Sequence, residues 1–283
     1  SKRAEHNRED LGTTPGGTAL CRRVIGRNKN LGDYQLYIEA NFNGYESRDF
    51  HLKKAYATIN DWTIGYAAST FGDGAAVPPT VDASGPTMKM DATNVLVRYM
   101  HHFKKSGIYV AASVETPDMT VQEDGASTAA RSMYLPNLSA MVQYEWRTGQ
   151  HIRLSGITRF LPYRDLVNSR NHQEVGWGVQ LSTVFRPVDP LTVYATVNGG
   201  RSYSNFGGDF LLGKYDLVAD PGKPGRLTTV PGWGYFAGLQ YNFTPKVFMS
   251  ATFGQGRYLP RHGIANASDY KYGLYGAVNL FWY

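Results

Sequence analysis

The stretch 136–201 constrains the fold most, because four segments in it alternate between an apolar and a largely polar set of residues. Over 138–147, Leu138, Ala140, Val142, Tyr144 and Trp146 interleave with Ser139, Met141, Gln143, Glu145 and Arg147. Over 151–160, Ile152, Leu154 and Phe160 interleave with His151, Arg153, Ser155 and Arg159. Next, Val175, Trp177, Val179, Leu181 and Phe185 oppose Glu174, Gly176, Gly178, Gln180 and Ser182. Finally, Leu191, Val193, Ala195 and Val197 alternate with Thr192, Tyr194, Thr196 and Asn198. A period of two held over about ten residues is a strand with one apolar and one polar face.

The connections narrow the choice further. Residues 148–150 and 187–190 read as tight turns, with a long polar loop, 161–173, between them. Short turn, long loop, short turn describes an up-and-down meander with one kind of connection at each end. Strands of about ten residues, flanked by aromatics and joined in that way, predict a transmembrane antiparallel β-barrel of the outer-membrane type. A soluble antiparallel sheet has shorter strands and no systematic difference between its ends.

Composition is compatible with this. No run approaches the roughly 18 apolar residues of a transmembrane helix. The negative mean hydropathy points to a soluble chain only if both strand faces count alike. In a barrel, alternate residues meet lipid while lumen and loops stay polar. The 20 Tyr, 13 Phe and 5 Trp suit interfacial girdles, although a soluble carbohydrate-binding domain is also aromatic-rich. The single cysteine, Cys21, excludes an internal disulfide and reads as a small packed or lumen-side residue. A net charge of +6, scattered over strands, argues against nucleic acid. Residues 1–10 are polar and charged where an outer-membrane precursor carries a signal peptide, so residue 1 is expected not to be the translation start.

Taken in order, about thirteen strands are visible, with tight turns and longer loops alternating throughout. The long loops are 72–92, 117–135, 161–173 and 202–232. In 50–59 the adjacent Lys53 and Lys54 leave the phase ambiguous, one pointing each way. In the last strand Leu274, Val278, Leu280 and Trp282 share a face that Tyr283 does not. An odd strand count and that mismatch predict one barrel domain over 1–283 with strands missing at both ends.

Several stretches also resemble, in wording as well as period, the DcaP-like trimeric porin family of Gram-negative outer membranes. They are Leu52-Lys53-Lys54-Ala55-Tyr56, Ala68-Ser69-Thr70-Phe71-Gly72-Asp73 and Val81-Asp82-Ala83-Ser84-Gly85-Pro86. Leu135-Pro136-Asn137-Leu138, Gly176-Trp177-Gly178, Pro231-Gly232-Trp233-Gly234-Tyr235 and Ala277-Val278-Asn279-Leu280-Phe281-Trp282 follow in the same order. The resemblance implies a sixteen-stranded barrel when complete, a homotrimer, an outer-membrane location and passage of dicarboxylate-like acids. Residues 1–17 match nothing in it, and the family's N-terminal coiled-coil segment is absent from this sequence.

If the apolar faces meet lipid, the polar faces line a pore. Arg153, Arg159 and Arg98 then face the lumen, with one of Arg22 and Arg23, and with Glu39, Glu145 and Glu174 as compensating acids. The resemblance adds Lys53. Cations along one wall concentrate anions and lower their barrier, and guanidinium grips carboxylate bidentately. The alternative is that these arginines only pair with lumen acids and water.

In the loop 72–92, Asp73 and Asp82 can meet the basic wall if it folds inward; an ordinary exposed loop is the competing expectation. The pair His101-His102 straddles both faces with no further ligand, so no metal site, cofactor or catalysis is expected, a hydrolase with Ser and His on the barrel's outside being the one enzymatic alternative. The expected function is diffusion of small hydrophilic, anionic solutes; the partners are outer-membrane lipid, small anions and copies of the same chain. The competing function is adhesion or docking through outer loops, with Tyr203, Phe206, Phe210 and Tyr215 as the surface. For assembly, Lys54, Thr63, Ala67 and Ser69 dilute the apolar faces of 50–59 and 62–71, which predicts a subunit contact there. A lysine facing mid-bilayer lipid costs roughly 2–4 kcal/mol, so Lys54 is expected at a rim or a contact.

Overall fold

The computed structural model describes residues 19–30, 32–42, 50–82, 85–122, 125–203, 206, 215–259 and 272–282. Apart from a 3-10 turn at Gly74–Ala76, the regular structure among them is β. The chain divides into two units, Ser1–Asn60 and Asp61–Tyr283.

The first unit is a meander of β1 (Ala19–Asn28), β2 (Gly32–Phe42) and β3 (Phe50–Ile59). Its register contains a feature that alternation alone does not show. Glu39 pairs with Lys54, and Ala40 pairs with Leu52, so Lys53 is the extra residue of a β-bulge. The bulge corrects the expectation that Lys53 and Lys54 point opposite ways. Lys54 lies directly across from Glu39 and therefore shares its face.

The second unit continues with β4 (Trp62–Ala68), β5 (Thr93–Phe103), β6 (Ile108–Glu115), β7 (Val121–Gln122), β8 (Thr128–Ala130) and β9 (Asn137–Arg147). Then come β10 (Gln150–Asp165), β11 (Arg170–Val188), β12 (Leu191–Arg201), β13 (Leu217–Ala219) and β14 (Leu227–Thr229). The last are β15 (Pro231–Thr244), β16 (Val247–Tyr258) and β17 (Tyr272–Trp282). Within this unit the long strands pair antiparallel in the order β4-β5-β6-β9-β10-β11-β12-β15-β16-β17. Strands β14, β13 and β7 form a separate small sheet.

Which face is covered decides what solvent the sheet is built for. On β11, Val175, Trp177, Val179 and Leu181 are exposed, while Gly176, Gly178, Gln180 and Ser182 between them are buried. The same inversion runs along β9, where Leu138, Val142 and Tyr144 are exposed and Asn137, Ser139 and Gln143 are buried. In water this arrangement leaves a large apolar surface unpaired; in a bilayer it is the stable one. Trp177 and Phe185 bound the apolar stretch of β11, about 27 Å apart along the strand at about 3.4 Å per residue. That matches an apolar band about 25 Å tall between aromatic girdles. Tyr283 lies outside the described residues.

Two expectations need correction. The supposed long loop 161–173 is a hairpin, because β10 reaches Asp165 and β11 begins at Arg170. The strands persist there because Leu161 and Tyr163 are buried against Leu217 and Leu227 of the small sheet. Thr63 and Ala67, taken as diluting an outward face, are 3% and 2% exposed and pair with Arg98 and Asn94 on the covered face. With Lys54 beside Glu39 as well, these residues do not dilute an outward apolar face that a neighbouring subunit would cover.

The covered face carries a second layer. The segment after β4 crosses it as a strap, through residues 69–82 and 85–92. Its path needs glycine below it: a Cβ on Gly178 would lie 2.9 Å from Phe71 Cζ, and one on Gly238 2.5 Å from Pro78 Cγ. Above the strap, Phe71, Met88 and Met90 pack with Tyr203, Phe206, Val218 and Val230 into one apolar cluster. Ile157 of β10 and Tyr258 of β16 complete it from the wall. Tyr203 and Phe206, 0% and 2% exposed, are therefore core residues and not an exposed docking surface. Phe210 lies outside the described residues.

Candidate functional site: the polar wall and its strap

In the first unit the bulge gathers charge. Lys53 Nζ lies 3.7 Å from Glu39 Oε1, and Lys54 Nζ lies 3.8 Å from Oε2. The Tyr37 hydroxyl donates to Glu39 Oε2 at 2.8 Å, and its ring stacks on Tyr56 at 5.1 Å. Of Arg22 and Arg23, Arg23 stands on this face: it pairs with Tyr37 and donates to Gln35 Oε1 at 2.8 Å. Two lysines thus flank one carboxylate, with Arg23 farther along the same face. Both lysine side chains stay well exposed, at 45% and 38%.

In the second unit the strap is fastened strand by strand. Glu115, 1% exposed, accepts from the Thr70 backbone N–H at 3.0 Å, from Ser113 Oγ at 2.8 Å and from Asn94 Nδ2 at 3.1 Å. The Phe71 carbonyl accepts from Ser155 Oγ at 2.6 Å, and the Gly72 carbonyl from Arg153 Nη1 at 2.8 Å. Farther along, the Met88 carbonyl accepts from Asn198 Nδ2 at 3.0 Å and the Pro79 carbonyl from Ser250 Oγ at 2.6 Å. Thr80 Oγ1 meets the Tyr275 hydroxyl at 3.1 Å. The strap therefore runs from β10 and β11 across β12 to β16 and β17, over polar side chains of the covered face.

Asp73 is its electrostatic anchor. Oδ2 lies 2.8 Å from His151 Nε2 and accepts from Ser182 Oγ at 2.6 Å; Oδ1 is 3.8 Å from Arg153 Nη1. Burial by itself pushes this carboxyl up. The His151 hydrogen bond, the Arg153 charge and the Ser182 hydroxyl outweigh it and hold the pKa at about 2, below the ordinary 3.8. A depressed carboxyl contributes stability that is complete above 3.8 and disappears as pH falls through about 2. The difference is worth about 2 kcal/mol. The thermal midpoint of the parent should therefore hold steady from neutral pH to about 4 and then fall more steeply than that of Asp73→Asn. Coincident curves for the two proteins would remove Asp73 as the anchor.

The other residues singled out from the sequence are scattered. Asp82 is exposed, its backbone N–H donating to Thr80 Oγ1 at 3.1 Å. Arg98 Nη1 donates to the Ala68 carbonyl at 3.3 Å where β4 ends. Glu145 is half-buried near the turn end of β9, across from His151. Arg153 keeps 19% of its side chain exposed and donates through Nε to Gln143 Oε1 at 2.9 Å. His101 does not pair with its neighbour: its Nδ1 lies 2.7 Å from Asp61 Oδ2, while His102 stacks on Tyr109.

Arg159 departs furthest from its expected role. Its side chain is 0% exposed, and its guanidinium binds the equally buried Asp216. It also donates to the Ser202 carbonyl at 2.6 Å and reaches Asp118 Oδ1 at 3.4 Å, with the Phe206 ring 5.2 Å from Cζ. No solute touches a group so enclosed. Arg159 joins outer loops to β10 and is not a station on an open wall. Asp216, Asp118, Glu115 and Ser182 escaped the sequence reading because each acts across a long separation. The one available signal was the phase of Glu115 and Ser182, which sets both on polar faces.

No family model and no curated protein matches the sequence. Among solved structures the chain is similar to the outer membrane channel DcaP of Acinetobacter baumannii. The TM-score is 0.79 at 18% identity, over 95% of this chain and 75% of that one. It also aligns with a loop L8 deletion mutant of OmpT, an outer membrane protein of Vibrio cholerae, at a TM-score of 0.46 and 11% identity, over 95% of this chain and 91% of that one. The likeness to DcaP carries the fold, an all-β outer-membrane channel fold, and the resemblance read from the sequence holds at that level. The alignment with OmpT adds no argument.

Proposed function

We propose, from the fold of an outer-membrane channel, that this protein is a porin of the Gram-negative outer membrane through which small hydrophilic anions diffuse. The observation that carries the selectivity is the bulge at Lys53. It sets two exposed lysines on the one carboxylate of Glu39, with Arg23 farther along the same face, which leaves an excess of positive charge there. Such an excess raises the local concentration of carboxylates and lowers their barrier while holding each one weakly enough to release it. In the second unit, Arg98 and the partly exposed Arg153 are further cations on its own polar face. The channel works without cofactor or covalent chemistry. In the membrane it is a homotrimer, as the resemblance to trimeric porins implies, and cross-linking in native membranes checks that assembly.

Reversal potentials under a KCl gradient test the selectivity. The parent should favour chloride at low salt, and Lys53→Ala with Lys54→Ala should lose most of that preference. At about 1 M salt, where the Debye length is about 3 Å, both should approach neutrality. A parent that favours cations, or that inserts without conducting, rules the reading out.

A further inference from the structure

Two arginines on the outward face of the second unit have no part in the solute path. Arg201 ends β12 and pairs across with Trp177 of β11 and Pro231 of β15. Arg257, near the end of β16, pairs with Trp233 of β15 and Tyr272 of β17. Residues directly opposite on an antiparallel pair share a face, and Trp177 and Tyr272 are 45% and 57% exposed on the apolar side. Both arginines are exposed there too, at the long-loop end of the wall and level with its tryptophans. One strand, β15, separates them, and their partners on it are two residues apart. With strands about 4.8 Å apart and about 3.4 Å per residue, their Cα atoms lie about 12 Å apart. Among the described residues, their nearest neighbours on this face, Gly199, Tyr235, Gln255 and Leu274, include no carboxylate.

Farther along the same strands, beginning at Phe253, four residues or about 14 Å from Arg257, lies an apolar groove of about 620 Å³. Ala237, Ala251 and Gly276 form its floor, and Val193, Leu239 and Phe253 its sides. A charged pair in an aromatic girdle above an apolar groove is complementary to an amphiphile with an anionic head. Guanidinium binds phosphate through paired hydrogen bonds, and its placement at the interface, unlike one at mid-bilayer, costs little. We infer that Arg201 and Arg257 bind the phosphorylated headgroup of an outer-leaflet lipid whose acyl chain occupies the groove over Ala237, Ala251 and Gly276. The inference rests on the membrane-spanning fold and is independent of solute selectivity.

The test uses the full chain in detergent, titrated with lipid A, with dephosphorylated lipid A and with inorganic phosphate, and retained adducts counted by native mass spectrometry. The parent should prefer lipid A over its dephosphorylated form by about thirtyfold, about 2 kcal/mol for two interfacial cations. Arg201→Ala with Arg257→Ala should remove that preference and keep the parent's conductance, which shows that the barrel is intact. Ala251→Phe, which fills the groove, should weaken both lipids while leaving the conductance unchanged. A parent that does not discriminate, a double variant that still does, or displacement of lipid A by an equal concentration of phosphate overturns the assignment.

Discussion

Arg159→Ala is expected to destabilise the folded barrel by about 3–5 kcal/mol, the cost of leaving a buried charge without its partner. Asp216, fully buried, would then retain the backbone N–H of Thr120 at 2.9 Å but lose its cation. The Ser202 carbonyl and Asp118 would lose their donor at the same time. Because these partners belong to the segments after β6 and after β12, the damage should appear first in those loops. Limited proteolysis should cut within 116–136 and 202–230 before the strands yield, and the denaturant midpoint in detergent should fall. Arg159→Met combined with Asp216→Leu should recover most of the loss, since an apolar pair of similar volume replaces a buried ion pair at little cost. Anion preference, set elsewhere on the wall, should keep its sign. If Arg159→Ala is as stable as the parent yet loses anion preference, Arg159 faces solute and its role as a loop anchor is wrong.

The contrast between Arg159 and Lys53 shows what a period of two can reveal. Alternation fixes which face a strand residue shares, and on that basis Arg153, Arg159, Glu145 and the exposed row through Trp177 were legible. It does not report what else covers the face. Arg159 is enclosed by residues 57 positions later and 41 positions earlier, in loops with no periodicity of their own. The strap has the same difficulty: Asp73 finds Ser182 across 109 residues, and nothing near Asp73 announces that pairing. At Lys53 alternation fails for a different reason. A bulge inserts one residue and reverses the phase, so two adjacent lysines reach one acid. At 161–173 the hairpin does not show in the sequence because Leu161 and Tyr163 are covered by Leu217 and Leu227 of the small sheet, so the apolar–polar contrast disappears while the pairing continues.

The strap's anchor should have the second large effect. Asp73→Ala leaves His151 Nε2 and Ser182 Oγ, both buried, without their acceptor. An unsatisfied buried polar group costs about 1–3 kcal/mol, so the two together rival the loss of Arg159. The change is also electrostatic. Arg153, 3.8 Å from Asp73 and partly exposed, would lose the carboxylate that offsets its charge while keeping the Gly72 carbonyl and Gln143. Anion preference at low salt should therefore rise as stability falls. Asp73→Asn separates the two effects: its amide oxygen still accepts from Ser182, so stability should fall less, whereas the charge is removed in full and the gain in anion preference should match that of Asp73→Ala. Single-channel current should become noisier in Asp73→Ala, because the strap loses its carboxylate tie to His151 and Ser182 on the wall. Its bonds up to Gly72 and those at Pro79, Thr80 and Met88 remain. The measurements are the denaturant midpoint and the reversal potential on the same preparations. If both variants keep the parent's midpoint and reversal potential, Asp73 neither pins the strap nor masks Arg153, and the wall's selectivity owes nothing to this segment.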